Sequence, residues 1–182
     1  EKANLDEVEI LEVKQLWLWF RCCIDTCSIL KSGQWMLVWD ASSWMFLVYN
    51  ENVETPYCDA RPFRVNAWSV HAYIRCPNNK TKYLWELESW DEVLVFDEKW
   101  NSEVVIVGRN KIEKRPMMLI KAQKWDKIFS IILQNAETIR LTTKNGKPVS
   151  VTKLKKWDKV LGYVEEQARH FWVQIEETIN EK

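Results

Sequence analysis

Glycine is scarce in this chain, whose 182 residues contain four glycines and twelve tryptophans. A soluble chain of this length would carry roughly 13 glycines, because glycine averages about 7% of residues. Turns with a positive φ usually depend on glycine, since a Cβ atom makes that conformation unfavourable. Most turns of this chain must therefore be built from other residues, which restricts the folds open to it.

Several tryptophans occupy positions where a turn residue is expected. Trp90, Trp125 and Trp157 each stand before an aspartate and an apolar run, in the place of a Gly-Asp turn. Trp100 lies between two apolar runs, where a hairpin needs positive φ. Gly146, which follows an asparagine, keeps the usual hairpin sequence. We predict that most of the four tryptophans lie in turns, at least some of them with positive φ, and that their side chains are more exposed than a core tryptophan.

These positions suggest the hypothesis that most of the tryptophans are glycines in the functional protein. A UGA codon is read as tryptophan in one variant genetic code and as glycine in another. The wrong code would therefore convert only the UGA-encoded glycines and spare the others. The alternative is a chain that uses tryptophan as a large core residue. A left-handed conformation costs a residue other than glycine about 1–2 kcal/mol, which is large against a typical stability of about 5–15 kcal/mol.

Charge and hydropathy disfavour several classes of partner. Basic and acidic residues number 26 each, so the net charge favours neither nucleic acid nor an anionic membrane. No stretch approaches the roughly 18 apolar residues of a membrane-spanning helix, so we expect no membrane partner. The first residues lack an initiator methionine and do not resemble a signal peptide, so we expect a fragment or a processed piece of a cytoplasmic protein.

The five cysteines are an odd number and include no Cys-x-x-Cys pair. They indicate reduced thiols rather than a disulfide framework. A zinc site built from Cys23, Cys27 and a histidine is the alternative, but this spacing is not a recognised ligand pattern. We therefore predict no metal site.

Short runs rich in Val, Ile, Tyr and Phe, mostly alternating with polar residues, predict strands rather than helices. They lie at residues 7–14, 45–49, 69–76, 92–96, 103–107, 117–122, 127–133, 138–141, 148–151 and 159–164. Residues 170–179 fit a strand or a short helix. We predict an all-β fold of one or two small barrel or sandwich units with few helices, divided into residues 1–80 and 81–182.

A weak internal repeat accompanies the strand pattern. The sequence Leu-x-x-Trp-Asp-x-Val-Leu occurs at residues 87–94 and 154–161, with a partial copy at residues 125–128. In such a unit the first small residue turns the chain, the aspartate accepts hydrogen bonds from nearby backbone N–H groups, and the valine begins a buried face. The repeat predicts two similar turns with a structural role.

Several long segments match a known family pattern when glycine is restored at the suspected positions. They lie in one order at residues 23–28, 34–39, 42–48, 60–73, 81–84, 111–116, 133–141 and 169–171. Together they resemble the archaeal-type 3-dehydroquinate synthases, also called dehydroquinate synthase II, over nearly the whole chain. The likeness corresponds to the C-terminal half of that family. The departures are tryptophans where the family has glycine, among them Trp17, Trp19, Trp35, Trp39, Trp44, Trp68 and Trp172.

The resemblance implies an NAD-dependent enzyme of aromatic amino acid biosynthesis. It would deaminate an amino-dideoxy-heptulosonate oxidatively and close the resulting diketone to 3-dehydroquinate. The implied partners are this small-molecule substrate and the missing N-terminal half, and a homo-oligomer stays open. We expect the fragment alone to be inactive. The alternative is a non-catalytic β-barrel module that binds RNA or protein, which predicts a basic, aromatic face.

The catalytic candidates follow from chemistry rather than from the resemblance. Arg61 and Arg64 are candidates for the substrate carboxylate, because an arginine fork binds a carboxylate in a bidentate manner. His71 is the candidate for proton transfer, and a structural histidine under a loop is the alternative. We predict that these three residues and Asn66 converge on one concave site, with Glu137 within reach.

Two further segments carry candidates. Residues 134–140 interrupt an apolar strand with polar side chains, which need partners if they are buried. In this segment Glu137 would act as a base or bind the ammonium group, and a polar turn is the alternative. Lys82 is a weaker candidate that would pair with a carboxylate.

The cofactor candidates lie in the loop around residues 39–44. Backbone N–H groups of a small-residue loop can cradle a pyrophosphate, although the segment is not a Gly-x-Gly-x-x-Gly motif. A tight turn is the alternative explanation. The candidates for NAD are Trp39, Ser42, Ser43 and Trp44.

Overall fold

The computed structural model describes residues 5–39, 44–52, 56, 59–97 and 99–164. Within these ranges twelve strands form one sheet, and every strand pair is antiparallel. The strands are β1 (Leu5–Thr26), β2 (Trp35–Trp39), β3 (Trp44–Tyr49), β4 (Arg64–Ser69), β5 (Tyr73–Arg75), β6 (Thr81–Tyr83), β7 (Glu92–Phe96), β8 (Ser102–Lys124), β9 (Lys127–Gln134), β10 (Arg140–Thr142), β11 (Pro148–Ser150) and β12 (Lys159–Val164).

The prediction of an all-β fold is confirmed. The helical elements among the described residues are two short 3₁₀ helices, at Leu84–Glu86 and Val151–Lys153. Strands from both sides of residue 80 pair within the one sheet, so the expected small units appear as parts of a single large sheet. The segment at residues 170–179 lies outside the described residues.

Two long strands, β1 and β8, form the frame of the sheet and pair with each other along most of their lengths. The sequence pattern predicted only pieces of them, because their middle sections are exposed and lack a regular apolar alternation. The first part of β1 also pairs with β12 and its last part with β4. Correspondingly, β8 pairs with β7 and then with β9.

The sheet closes on itself through six of its strands. The pairings run from β1 to β8, β7, β2, β3 and β12 and then return to β1. All six contribute buried side chains to the main hydrophobic cluster, for example Val8, Met36, Phe46, Val93, Val105 and Val160. The other strands extend beyond this ring, so the fold is a large partly closed sheet rather than a simple barrel.

The predicted run at residues 69–76 is divided in the structure. Strand β4 ends at Ser69, and the Ala72 N–H donates to the Ser69 carbonyl at 3.0 Å across a turn. Strand β5 begins only at Tyr73. The prediction of one strand was wrong here, because the alternation of side chains continues through a turn that the sequence does not mark with Gly or Pro.

The internal repeat extends well beyond the eight-residue motif. Strands β5 and β6, a 3₁₀ helix and β7 are followed, at a constant offset in numbering, by β10, β11, the second 3₁₀ helix and β12. Equivalent hydrogen bonds recur. The Leu84 N–H donates to the Ala72 carbonyl at 2.8 Å, and the Val151 N–H donates to the Ile139 carbonyl at 2.9 Å. The chain thus builds the same strand–turn module twice.

The two tryptophan turns of the repeat have the same geometry. Trp90 and Trp157 both have a φ of 78°. The Trp90 N–H donates to the Val107 carbonyl of β8 at 2.8 Å, and the Trp157 N–H donates to the Ile10 carbonyl of β1 at 2.7 Å. Each turn therefore fixes its module to one of the two long strands through a residue in the left-handed region.

The predicted turn tryptophans are confirmed as left-handed residues. Of the six described residues other than glycine with positive φ, four are tryptophans. Trp90, Trp125 and Trp157 are 81%, 61% and 58% exposed. Trp100, with a φ of 63°, is half-buried and stacks on the rings of Phe96 and Tyr163. Four unfavourable backbone conformations thus fall on the positions where the sequence calls for glycine.

Candidate functional site

The second half of β1 separates polar from apolar side chains. Arg21, Cys23 and Asp25 lie on one face of the strand, while Cys22 and Ile24 lie on the other. All five are buried. Since Cys22 and Ile24 join the main hydrophobic cluster, the polar side chains form a second buried layer on the opposite face.

Strand β4 adds polar groups to this layer. The residues opposite one another are Arg64 and Asp25, Asn66 and Cys23, and Ser69 and Arg21. The spacing from Asn66 to Ser69 is one residue longer than the spacing on β1, so β4 contains a bulge. The bulge returns Ser69 to the polar face.

Asp25 is the structural anchor of the polar layer. Arg64 donates to both of its carboxylate oxygens, from Nε at 2.6 Å and from Nη2 at 3.0 Å. Arg109 donates to Oδ2 from Nη2 at 2.6 Å and from Nε at 3.0 Å. Burial raises the pKa of Asp25, but the hydrogen bonds and charges of the two arginines outweigh it and hold the pKa below its usual value.

Acidification is expected to remove the stabilisation that Asp25 provides. Because its folded-state pKa is lowered, this contribution is present above the unfolded value of about 3.9. It is lost as the pH falls through the folded-state value. The free energy of unfolding, measured with urea from pH 7 to pH 2.5 in the wild type and in Asp25→Asn, tests this. The difference between the proteins should shrink below about pH 4, and a difference independent of pH would contradict it.

Glu51 is a buried carboxyl group beside four arginines. Its N–H donates to the Arg64 carbonyl at 2.8 Å, and its carbonyl accepts from the Arg61 N–H at 2.7 Å. Burial raises the pKa of Glu51, and the charges of Arg64, Arg61, Arg21 and Arg140 only partly oppose this. We call the four arginines around Glu51 the arginine cluster. A buried carboxyl group with a raised pKa is suited to giving or accepting a proton.

Two side chains of the polar layer keep unpaired buried atoms. Arg21 is 6% exposed and donates from Nη2 to Glu113 at 2.8 Å, but its Nε and Nη1 have no partner in the described part of the chain. Asn66 donates to the Gln134 side chain at 2.9 Å, while its Oδ1 has no partner among the same residues. Buried polar atoms usually have partners, so these atoms are available to a ligand.

Two sequence segments predicted to carry function meet at this layer. The hydrogen bond between Asn66 and Gln134 joins β4 to the end of β9. Arg140, which begins β10, is buried and acts on Glu51 through its charge. Of the polar residues that interrupt the apolar pattern at 134–140, Gln134 is therefore hydrogen-bonded within the layer and Arg140 interacts with it electrostatically.

His71 lies beside the Arg21 end of the polar layer. It is exposed in the turn after β4, and its Nδ1 shares a hydrogen bond with the Ser69 hydroxyl. Ser69 is fully buried and lies opposite Arg21 on the neighbouring strand. Arg64, Asn66 and His71 thus follow one another along β4 and the turn after it, and the backbones of Arg61 and Arg64 bond to Glu51. The convergence of these residues on one concave site stays a prediction.

Two other candidates lie in different surroundings. Glu137 is exposed, and its carboxylate lies 3.9 Å from the ammonium group of Lys153. Lys82 forms an ion pair with Asp91 at 2.8 Å, and this hydrogen bond raises the pKa of Lys82. Lys153 and Asp91 both lie outside the arginine cluster, and the catalytic roles of Glu137 and Lys82 stay predictions.

The cofactor candidates lie at the edge of the described residues. Ser42 and Ser43 are outside them. Trp39 and Trp44 are described through their backbones alone, where they end β2 and begin β3. The assignment of these four residues to NAD therefore stays a prediction.

Cysteine chemistry contributes little to the site. Burial raises the pKa of Cys22 to about 12 and that of Cys76 to about 11, which keeps both thiols protonated at neutral pH. Within the described ranges, no group of three His, Cys, Asp or Glu side chains is placed to hold a metal ion. The same part of the chain contains no helix long and apolar enough to cross a membrane.

Sequence reasoning missed Arg21 and Glu51. Arg21 stands next to cysteines and an isoleucine in β1, and this alternation of polar and apolar residues could have indicated a buried polar face. No sequence pattern indicates Glu51, because it is one glutamate in a polar stretch and only its neighbours in space distinguish it.

Comparison with known proteins gives one consistent family. The model of the 3-dehydroquinate synthase II C-terminal domain matches residues 7–182. A 3-dehydroquinate synthase homolog of Aquifex aeolicus is 54% identical over 182 residues, which are the whole of this chain and 55% of that protein. The 3-dehydroquinate synthase of Methanocaldococcus jannaschii is 53% identical over the whole chain and 50% of its own length.

The chain spans about half the length of the curated relatives that it matches. A third relative, the 3-dehydroquinate synthase of Methanopyrus kandleri, is 51% identical over 185 residues, which make up 46% of that protein. No solved structure matches the chain.

Proposed function

Since the chain belongs to the 3-dehydroquinate synthase II family, we propose that it forms one half of an NAD-dependent 3-dehydroquinate synthase. The substrate would be 2-amino-3,7-dideoxy-D-threo-hept-6-ulosonate, which loses ammonia and closes to 3-dehydroquinate. NAD would accept the hydride from the carbon that bears the amine. The observation that carries the proposal is the arginine cluster with its unpaired donors, because the substrate is a carboxylate.

The proposed roles follow the geometry of the polar layer. The arginine cluster holds the substrate carboxylate, and Asp25 holds Arg64 in place. Deamination and ring closure both move protons. Glu51 lies among the arginines of the cluster, and His71 bonds to Ser69, which is opposite Arg21. Imidazole is the side chain suited to proton transfer at neutral pH. We assign this role to His71 and regard Ser69 as the group that orients its ring.

Replacing His71 with alanine in the full-length protein is expected to lower kcat by about 10²–10⁴-fold, the usual contribution of a general acid or base. NADH formation from the amino-heptulosonate is the measurement. A matched control is Asn79→Gly, in the hairpin after β5, where φ is 56°. The equivalent residue of the second module is Gly146, so this change should leave activity unchanged. A His71→Ala enzyme within a few-fold of wild type would remove His71 from the mechanism.

The same assay tests the proposal as a whole. Full-length protein that forms no NADH and no 3-dehydroquinate would overturn it. Residues 1–182 alone should give no turnover, because substrate and cofactor must be held together in a reactive geometry. Turnover by that fragment would show that the relatives' other half is dispensable.

A non-catalytic binding module is the second candidate. One observation favours it, namely that Trp17, Leu18, Trp19 and Phe20 of β1 are all exposed large hydrophobic residues. Exposed aromatic residues provide stacking surfaces for unpaired bases. Salt-dependent binding of single-stranded RNA, lost on replacement of Phe20, would support this reading if the full-length protein has no synthase activity.

A further inference from the structure

We propose that Arg21 and Arg140, rather than Arg64, are the side chains that bind the substrate carboxylate, and that the Asn66 Oδ1 accepts a hydrogen bond from a substrate hydroxyl. The ligand class is a hydroxylated carboxylic acid. The chemical identity of the substrate rests on the proposed function, while the carboxylate site itself does not.

Arg64 is already committed to a carboxylate. Its Nε and Nη2 donate to the two oxygens of Asp25, which is the bidentate arrangement that a substrate carboxylate would need. Both side chains are largely buried, with 13% and 11% exposed. Moving Arg64 to a ligand would leave the Asp25 carboxylate with Arg109 alone, so this exchange is unfavourable.

Arg21, unlike Arg64, is not held by a carboxylate through two hydrogen bonds. Its side chain is 8% exposed and forms an ion pair with Glu113, which also pairs with Lys111 and Arg115. The charge of Glu113 is therefore shared among three cations. The Nε and Nη1 atoms of Arg21 are buried and have no partner among the described residues, and an unmet donor on a buried cation is costly. An anion placed at these atoms would satisfy both of them.

Arg140 supplies the second charge from another part of the chain. It is 7% exposed, and its Nη1 donates only weakly to the Thr138 carbonyl at 3.5 Å. It forms no ion pair with a described residue. Like Arg21, it lies within electrostatic reach of Glu51. Asp25 neutralises Arg64, but Arg21 shares Glu113 with two other cations and Arg140 forms no such pair, so the charge balance around Arg21 and Arg140 favours a bound anion.

Asn66 adds a neutral acceptor to the same layer. Its Nδ2 is fixed by Gln134 at 2.9 Å, which leaves Oδ1 turned away from that contact and unpaired. Asn66 lies opposite Cys23, one step along the polar face from Arg21. A molecule whose carboxylate meets Arg21 can therefore present a hydroxyl group to Asn66, which is why a hydroxy acid fits better than a simple anion.

The test compares the Michaelis constants of the two substrates in the full-length enzyme. Arg21→Gln and Arg140→Gln should each raise the KM for the amino-heptulosonate by about 10- to 100-fold, the value of a hydrogen bond to a charged group. The KM for NAD should not change. An increase confined to the KM for NAD would show that the arginines bind the cofactor pyrophosphate, and would overturn the inference. Arg75→Gln, at a surface arginine of β5, is the matched control.

A binding measurement separates this inference from the proposed function. Quinate, a hydroxylated carboxylic acid, should raise the Tm of the wild-type protein, and its methyl ester, which lacks the charge, should not. The shift should disappear in Arg21→Gln, and Arg21→Lys should recover part of it because lysine keeps the charge without the fork. A quinate shift of the same size in wild type and folded Arg21→Gln would overturn the inference. A shift lost only in Arg21→Gln and Arg140→Gln would support it even if no synthase activity is found.

Discussion

Replacing Trp90, Trp125 and Trp157 together with glycine is expected to raise the free energy of unfolding by about 1–5 kcal/mol, which is a relief of about 1–2 kcal/mol for each left-handed residue less the loss of two cation–π contacts. Their φ angles are 78°, 54° and 78°, and all three side chains are exposed. Little packing is therefore lost. Lysines lie over two of the rings, and loss of these contacts would offset about 0.5–1 kcal/mol each.

Trp85→Gly is the matched control for these substitutions. Trp85 is 57% exposed, like the turn tryptophans, but it lies in the first 3₁₀ helix and is not among the residues with positive φ. Glycine should lower stability there by about 0.9–2.5 kcal/mol, because it adds freedom to the unfolded chain and removes the stacking of Trp85 on Tyr83. Urea unfolding of each variant is the measurement. A triple variant no more stable than the wild type would contradict the strain argument.

Trp100→Gly separates strain from packing. Its φ of 63° is unfavourable, but its ring stacks on Phe96 at 4.8 Å and on Tyr163 at 5.0 Å between centroids. Aromatic pairs of this kind contribute about 0.5–1.5 kcal/mol each. The relief of backbone strain and the loss of stacking should therefore nearly cancel in the free energy of unfolding. The hypothesis that these tryptophans are glycines in the functional protein stays a prediction. A mass spectrum of the protein from its natural source decides it.

Asp25→Asn is expected to lower the free energy of unfolding by about 3–5 kcal/mol, the usual cost of removing one partner of a buried ion pair. Asp25 holds Arg64 and Arg109 through four hydrogen bonds. Arg109 is exposed and can return to water, but Arg64 is not. Most of the loss therefore comes from the uncompensated guanidinium group of Arg64.

Two further variants make this result specific. Glu12→Gln breaks an exposed ion pair with Lys121 at 3.5 Å, and should change stability by less than about 0.5 kcal/mol. The double variant Asp25→Asn with Arg64→Gln should recover part of the loss, because no unpaired buried charge remains between these two positions. A double variant as unstable as the sum of the two single variants would show that the pair does not act as a unit.

The sequence by itself determined those strands and turns that depend on a few consecutive residues. Strands β7 and β12 have the bounds that alternation predicted, and the turns before them have positive φ where Trp90 and Trp157 stand in place of glycine. Turn chemistry and side-chain alternation depend on a few consecutive residues. The local motif also indicated the repeat, although its full extent appeared only in the paired hydrogen bonds of the two modules.

Only the tertiary structure decided how the site is assembled. Sequence reasoning located Arg64, Asn66 and His71 as a polar set, but it did not reveal that Asp25 occupies Arg64 while Arg21 keeps unpaired donors. The alternation of side chains predicts which residues of a strand share a face. It does not predict which other strand will cover that face or which charged residues that strand will contribute. The arginines around Glu51 come from three separate parts of the chain. Because burial and the nearby charges set its protonation, no local pattern could have identified it.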